Sequence, residues 1–204
     1  EENDVHPEMT WELSLDDGKK GGIGLAIWIL LVGGIMLTSS HNPAEYLGVK
    51  LRMADGGAAG KEFTDRVEAV LPDAATAERG ACEEADLMTA YLDALKRRVD
   101  VGAIRNANLR VVVDPLYGAG RHYLADLLRD LGVEVCEINN AEDPTFDGLH
   151  PEPIPPWVDR CIAKVPELGY DAGFINDGDA DRIAAGDSRG NYVNAHRIIT
   201  LLTK

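Results

Sequence analysis

Between Leu109 and Ile138 the sequence sets out a strand, a glycine turn, a helix and a second strand, an order that leaves few ways to fold. The first strand, Leu109 to Val113, is rich in valine and ends at Asp114-Pro115, and Gly118-Ala119-Gly120 makes the turn. A helix from Arg121 to Leu131 and a strand from Val133 to Ile138 follow, separated by Gly132. Two strands joined by a helical crossover pair in parallel, and a parallel sheet must bury its faces under helices. The same reading continues downstream. Residues 139–156 form a long loop carrying five prolines, Pro156 to Leu168 a helix, and Ala172 to Ile175 a short strand that delivers the chain to Asp177. Gly190 makes a turn and residues 194–203 a closing helix.

The upstream half reads less regularly. Residues 22–32 have the character of a buried helix, and Ile35 to Thr38 that of a short buried strand. Ser39-Ser40-His41-Asn42-Pro43 is polar and stopped by proline, which predicts a loop. Apolar positions recur at helical spacing over 61–71 and 83–99, and the stretch from Val101 to Asn108 reads as a linker.

Charge narrows the partners. With 35 acidic and 20 basic residues the chain carries a formal charge of -15, a field that repels nucleic acid and anionic membrane surfaces. Cys82, Cys136 and Cys161 are odd in number and far apart, with no C-x-x-C, which argues against a disulfide framework or a zinc cluster and for a reducing cytoplasm. The uncharged run from Ile23 to Leu37 is short for a membrane span and is broken by Gly33-Gly34. The expectation is a cytoplasmic protein with neither nucleic acid nor membrane as partner.

Asp177-Gly178-Asp179-Ala180-Asp181-Arg182 is the segment that most directly implies chemistry. On a helix this two-residue spacing splays the carboxylates, whereas on a tight loop with small spacers they turn toward one centre. Carboxylates so close repel one another unless a cation neutralises them, and oxygen ligands select a hard ion, Mg2+, Ca2+ or Mn2+. An EF-hand loop also opens with alternating acids, but it needs glycine at its sixth position and glutamate at its twelfth. Here those positions hold Arg182 and Ser188. The strand before Asp177 adds weight, since ligand sites of α/β sheets lie beyond the carboxyl ends of strands.

A second polar loop, around Ser40, also follows an apolar strand. Serine is a weak nucleophile alone, but a serine bearing a phosphate brings about two negative charges, and one of its oxygens can complete a Mg2+ shell supplied by aspartates. The segment T-S-S-H-N-P-A-E-Y-L-G-V-K, Thr38 to Lys50, resembles the active-site loop of the α-D-phosphohexomutases, the phosphoglucomutase/phosphomannomutase family. D-G-D-A-D-R resembles that family's metal loop. D-P-L-Y-G-A-G-R (Asp114 to Arg121), D-P-T-F-D-G-L-H-P-E-P (Asp143 to Pro153) and G-D-S-R-G-N-Y-V-N-A-H-R-I (Gly186 to Ile198) resemble further family segments in the same order. The likeness runs over about residues 33–204.

The resemblance implies an α/β fold of two similar three-layer α/β/α domains with mixed, largely parallel sheets: a phosphoserine-loop domain over 1–104 and a metal-loop domain over 105–204. It implies Ser40 as the phosphorylated serine, with Ser40, Asp177, Asp179 and Asp181 as ligands of Mg2+. Lys50 becomes the candidate general acid/base, Arg182 a cation beside the transferred phosphate, and His41 a support for the serine loop and for proton transfer. Each has a plainer alternative. Lys50 is otherwise a solvated lysine, His41 a loop hydrogen-bonder and Arg182 a partner of the aspartates. Gly118 and Gly120 have the look of a phosphate cradle but read as a tight turn, and His150 and Glu152, in a proline-rich loop, read as structural rather than catalytic. The activity implied is isomerase chemistry on a hexose phosphate, moving phosphate between the C1 and C6 oxygens through a hexose bisphosphate. Phosphoglucosamine mutase and a non-catalytic metal- and phosphate-binding module are the alternatives. The chain departs from the family pattern in Leu47, where asparagine is usual, and in residues 1–32, which lack a Gly-x-Arg-Gly segment. Further C-terminal domains of the same enzyme are expected, because the family builds its site from four domains.

Overall fold

A computed structural model describes residues 33–73 and 84–203, so the helix expected over 22–32 and Cys82 lie outside the described residues. The described strands and α-helices are, in chain order, β1 (Gly33–Thr38), β2 (Gly48–Met53), α1 (Lys61–Glu68), α2 (Met88–Lys96), α3 (Val101–Asn106), β3 (Arg110–Asp114), α4 (Tyr123–Asp130), β4 (Glu134–Glu137), α5 (Asp159–Leu168), β5 (Ala172–Asn176), β6 (Ile183–Asp187), β7 (Tyr192–Val193) and α6 (Ala195–Leu202). Residues 33–36 and 50–71 group into one compact unit, and 37–49 with the chain from 72 onward into another.

β1 and β2 form a two-stranded sheet, and in the first unit α1 follows the turn at Gly56, which adopts φ 81°. Gly33 is required by close approach: a Cβ there would stand 2.8 Å from the carbonyl oxygen of Arg52 on the paired strand. The strand expected at 35–38 is present but is not buried. Ile35 is 73% and Leu37 66% exposed, because a two-stranded sheet cannot cover both of its own faces. Lys61 bridges Asp65 at 2.7 Å one turn along α1, a surface pair.

The second unit holds a five-stranded sheet in the order β4-β3-β5-β6-β7. β3 pairs in parallel with β4 and β5, as the helical crossovers require, whereas β6 and β7 run antiparallel. The fold is therefore α/β with a mixed sheet. A mixed sheet is what the family resemblance implies, but the strands that make it mixed are not readable from their residues: Ile183 to Asp187 reads I-A-A-G-D, with only one β-branched residue and no clear alternation. Nor is α3, which occupies the stretch read as a linker. Asp100 caps it, its carboxylate accepting the Ala103 N–H at 2.8 Å.

The three central residues of β3 explain how the sheet is sandwiched. Val112 points to one face and packs with Leu116, Ile175 and the α5 residues Cys161 and Val165, all fully buried. Val111 and Val113 point to the other, against Ala125 of α4 and Val133, with Ile104, Leu124 and Leu128 at the margin. Helices thus lie on both faces of the sheet, and full burial of each valine contributes about 1.5–3 kcal/mol. α5 lies so close to β5 that a Cβ on Gly173 would stand 2.9 Å from Val165 Cγ2 and 3.0 Å from Cys161 Sγ. Cys136 and Cys161 are free thiols, and no described helix is long and apolar enough to cross a membrane.

β3 ends on Asp114, which is completely buried. Its carboxylate accepts the Leu116 N–H at 2.9 Å and the Asn139 side-chain amide at 2.9 and 3.0 Å, and Asn139 in turn accepts from Arg160 at 2.6 Å. Burial pushes the Asp114 carboxyl up from 3.8 to about 6, against the opposing pull of those hydrogen bonds and of Arg160. Because the folded value is raised, the contribution of this group to stability is complete below about pH 4 and is lost as pH rises through about 6. At 1.36 kcal/mol per pH unit the loss is about 3 kcal/mol. Urea unfolding across this range should show wild type losing about that much relative to Asp114→Asn as pH rises. Parallel stability curves for the two proteins would contradict it.

Candidate active site

The loop of residues 177–182 joins two antiparallel strands, since Asn176 pairs with Ile183, so its ends are held by the β5–β6 register. Inside it the Asp177 carbonyl accepts the Ala180 N–H at 3.1 Å, with Ala180 in the left-handed region at φ 61°. Asp177 Oδ1 accepts the backbone N–H of Arg182 at 3.0 Å. This wrapping turns all three acids inward. Asp177, Asp179 and Asp181 each offer an oxygen, and those oxygens lie within 4.8 Å of one another.

The carboxylates are unequal. Asp177 is fully buried, and its Oδ2 takes part in no hydrogen bond among the described residues, although Arg182 Nε lies 3.5 Å away. Burial pushes its carboxyl up to about 6; the Arg182 N–H opposes the shift, and the charges of Asp179 and Asp181 reinforce it. A buried carboxylate oxygen without a hydrogen bond, aimed into a cluster of like charge, is the donor set that a hard divalent cation fits.

The loop after β1 reaches the same place. Thr38 Oγ1 donates to Asp179 Oδ2 at 2.9 Å and accepts the Ser40 N–H at 2.8 Å. That second bond holds Ser40 at φ 56°, a conformation costing about 1–3 kcal/mol for a non-glycine residue. Ser40 Oγ then lies 3.3 Å from Arg182 Nη2 and 3.5 Å from His41 Nδ1. Arg182 Nη2 also donates to His41 Nδ1, which places the imidazole proton on Nε2.

A third loop closes the group. The Pro151 carbonyl accepts the Gly178 N–H at 3.0 Å, and Glu152 Oε1 lies 3.6 Å from Arg182 Nη1 and 3.9 Å from His41 Nε2. His150 stacks on Trp157 and meets His41 edge-on. Gly118 and Gly120 contribute by close approach: Ala119 donates to the Gly178 carbonyl at 2.8 Å, and a Cβ on Gly118 would stand 2.5 Å from that oxygen.

Ser40, His41, Asp177, Asp179, Asp181 and Arg182 are thus neighbours. Lys50 lies half-buried on β2, in the first unit. Two participants escaped the sequence reading as site residues. Thr38 counted only as the start of a loop motif. Glu152 was given a structural role, although its H-P-E-P setting was the signal available.

Comparison with known proteins gives this geometry its context. Residues 89–190 match the family model for phosphoglucomutase/phosphomannomutase α/β/α domain II, and residues 27–78 that for domain I. A phosphoglucomutase/phosphomannomutase of Thermococcus kodakarensis is 37% identical over 175 residues, 83% of this chain and 38% of the relative. A phosphoglucosamine/phosphogalactosamine mutase of Sulfurisphaera tokodaii is 32% identical over 180 residues, 84% of this chain and 39% of the relative. The solved structure of a phosphomannomutase-type protein of Thermus thermophilus superposes with a TM-score of 0.78 at 38% identity, covering 84% of this chain and 40% of that one. The chain spans about two fifths of the length of these proteins.

Gly178 offers a direct test of the loop packing. A Cβ there would collide with the Ser40 carbonyl oxygen and press on Pro151 at 3.3 Å. Gly178→Ala should therefore cost about 1–3 kcal/mol in urea unfolding, the usual penalty for overpacking. A change of less than about 0.5 kcal/mol, the range of a neutral surface substitution, would show that the loops do not depend on this contact.

Proposed function

The chain belongs to the phosphoglucomutase/phosphomannomutase family, and on that premise we propose that it carries the phosphoserine and metal-loop halves of a phosphohexomutase. The halves are assigned to residues 1–104 and 105–204. The observation that carries the reading is the meeting of the Ser40 hydroxyl, the Arg182 guanidinium and three carboxylates in one small volume. Phosphoryl transfer asks a protein for charge neutralisation and alignment more than for covalent chemistry, and this group of side chains supplies both.

In the proposed reaction a phosphoryl group leaves Ser40 Oγ for the free C1 or C6 hydroxyl of a hexose phosphate. The hydroxyl proton passes to a base, for which Lys50 is the candidate. Ser40 Oγ takes up a proton as it is released. When the resulting hexose bisphosphate has turned over, Ser40 Oγ gives that proton up as the other phosphoryl group returns to it, and the vacated sugar oxygen takes up a proton. Arg182 faces the Ser40 oxygen throughout and is suited to the planar, multi-donor recognition of phosphate. His41 buttresses the serine and is held in one tautomer by Arg182. Asp177, Asp179 and Asp181, with a phosphate oxygen on Ser40, would hold Mg2+, which when bound neutralises the charge on the phosphoryl group.

A phosphoglucosamine mutase is the second reading, favoured by the amino-sugar mutase among the relatives. The residues around Ser40 and Asp177 act on phosphate in either case, so the two readings share one serine and one metal loop.

Intact-mass measurement after incubation with a hexose bisphosphate should show one added phosphoryl group on wild type, removable by phosphatase and absent from Ser40→Ala. A wild-type mass that never changes would remove Ser40 from the reaction. Mg2+ at about 100 times its dissociation constant should stabilise wild type by about 2–3 kcal/mol in urea unfolding. Asp179→Asn should abolish that gain, and an undiminished gain would place the ion elsewhere.

A further inference from the structure

The Arg182 side chain is contested from two directions. Its Nε lies 3.5 Å from Asp177 Oδ2 and 3.8 Å from Asp181 Oδ1, while its Nη atoms face Glu152 Oε1 at 3.6 Å, Ser40 Oγ at 3.3 Å and the His41 ring. Left to the aspartates alone, a guanidinium turns its fork onto their carboxylates, because bidentate pairing is its strongest arrangement. There it competes with a metal ion for the same oxygens and withdraws from the serine. Glu152 is the acid placed on the opposite side. It also faces the protonated Nε2 of His41 at 3.9 Å, so one carboxylate draws both side chains that touch Ser40 Oγ.

We propose that Glu152 is a positioning residue: it holds the Nη atoms of Arg182, and with them His41, at the Ser40 hydroxyl, so that only Nε approaches the aspartates and the guanidinium fork does not close on their carboxylates, which keeps the aspartate loop open to a cation. This inference rests on the metal reading of the aspartate loop. Glu152 is well placed for the role. The backbone hydrogen bond from Gly178 to its neighbour Pro151 anchors it to the same loop, and its side chain is only 25% exposed. Arg182 is 41% exposed, so solvent screens the competition and its expected size is moderate.

The test is Mn2+ binding to the full chain, followed by electron paramagnetic resonance, in a double-mutant cycle. Glu152→Gln keeps shape and removes charge, and is expected to weaken Mn2+ binding by about fivefold, within the span of contacting-pair couplings. The same change in an Arg182→Gln background is expected to shift affinity by less than about twofold, since no guanidinium remains to be held. Glu152→Asp, which retains the charge, is expected to recover most of the affinity. An equal loss in both backgrounds would mean that Glu152 acts only through its own field on the ion, and would overturn the proposal. Unchanged affinity in Glu152→Gln, or loss of its native circular dichroism, would overturn it as well. Wild type that takes up no Mn2+ would overturn the metal reading and this inference with it.

Discussion

The site rests on backbone packed against backbone at Gly178. The Ser40 carbonyl sits where a side chain at this position would go, Pro151 covers a second side, and the Gly118 turn lies against its peptide from a third. Three loops remote in sequence can approach this closely only where Cβ atoms are missing, and the hydrogen bonds from Gly178 to Pro151 and from Ala119 to Gly178 satisfy the polar groups so enclosed. The side chains that meet above this contact owe their spacing to it. Arg182 reaches Ser40, and Thr38 reaches Asp179, because the chains beneath are already in contact.

Behind the loops, the sheet supplies the rigidity. β3 is buried on both faces and ends on the buried Asp114, whose bonds to Leu116 and Asn139 set the course of the turn containing Gly118. Tyr117 donates its backbone N–H to the Asn139 carbonyl at 2.8 Å, and Arg160 on α5 closes the network onto the Asn139 side chain. A buried polar cluster of this kind is costly unless satisfied, and once satisfied it specifies one loop conformation. The path from the core valines through Asp114 and the Gly118 turn to Gly178 of the aspartate loop is therefore continuous.

Much of this was legible in the sequence. The β3–α4–β4 unit was readable because β-branched runs, a glycine turn and helical spacing agree at every position. The alternation of aspartate with glycine and alanine was enough to expect a loop with convergent carboxylates. Where local signals were weak, less could be read. β6 is built from I-A-A-G-D, whose small residues declare no preference and are strand only because β5 offers an edge. α3 is six residues long and carries a glycine, too short to show a period. Glu152 was passed over for a different reason: a carboxylate in a proline-rich loop gains meaning only when His41 and Arg182, far away in sequence, are seen on either side of it.

The aspartate loop is closed at both ends by strand pairing, with Asn176 opposite Ile183. An insertion or deletion there has no neutral outlet. If β6 slips by one position to absorb it, Ala184 and Gly186 leave the core and their half-buried neighbours enter it, because strand faces alternate. If the strands hold, the change falls on the turn itself and redirects an aspartate. Length in this stretch is thus under tighter constraint than identity, and lineages carrying the fold should vary the spacer residues long before they vary their number.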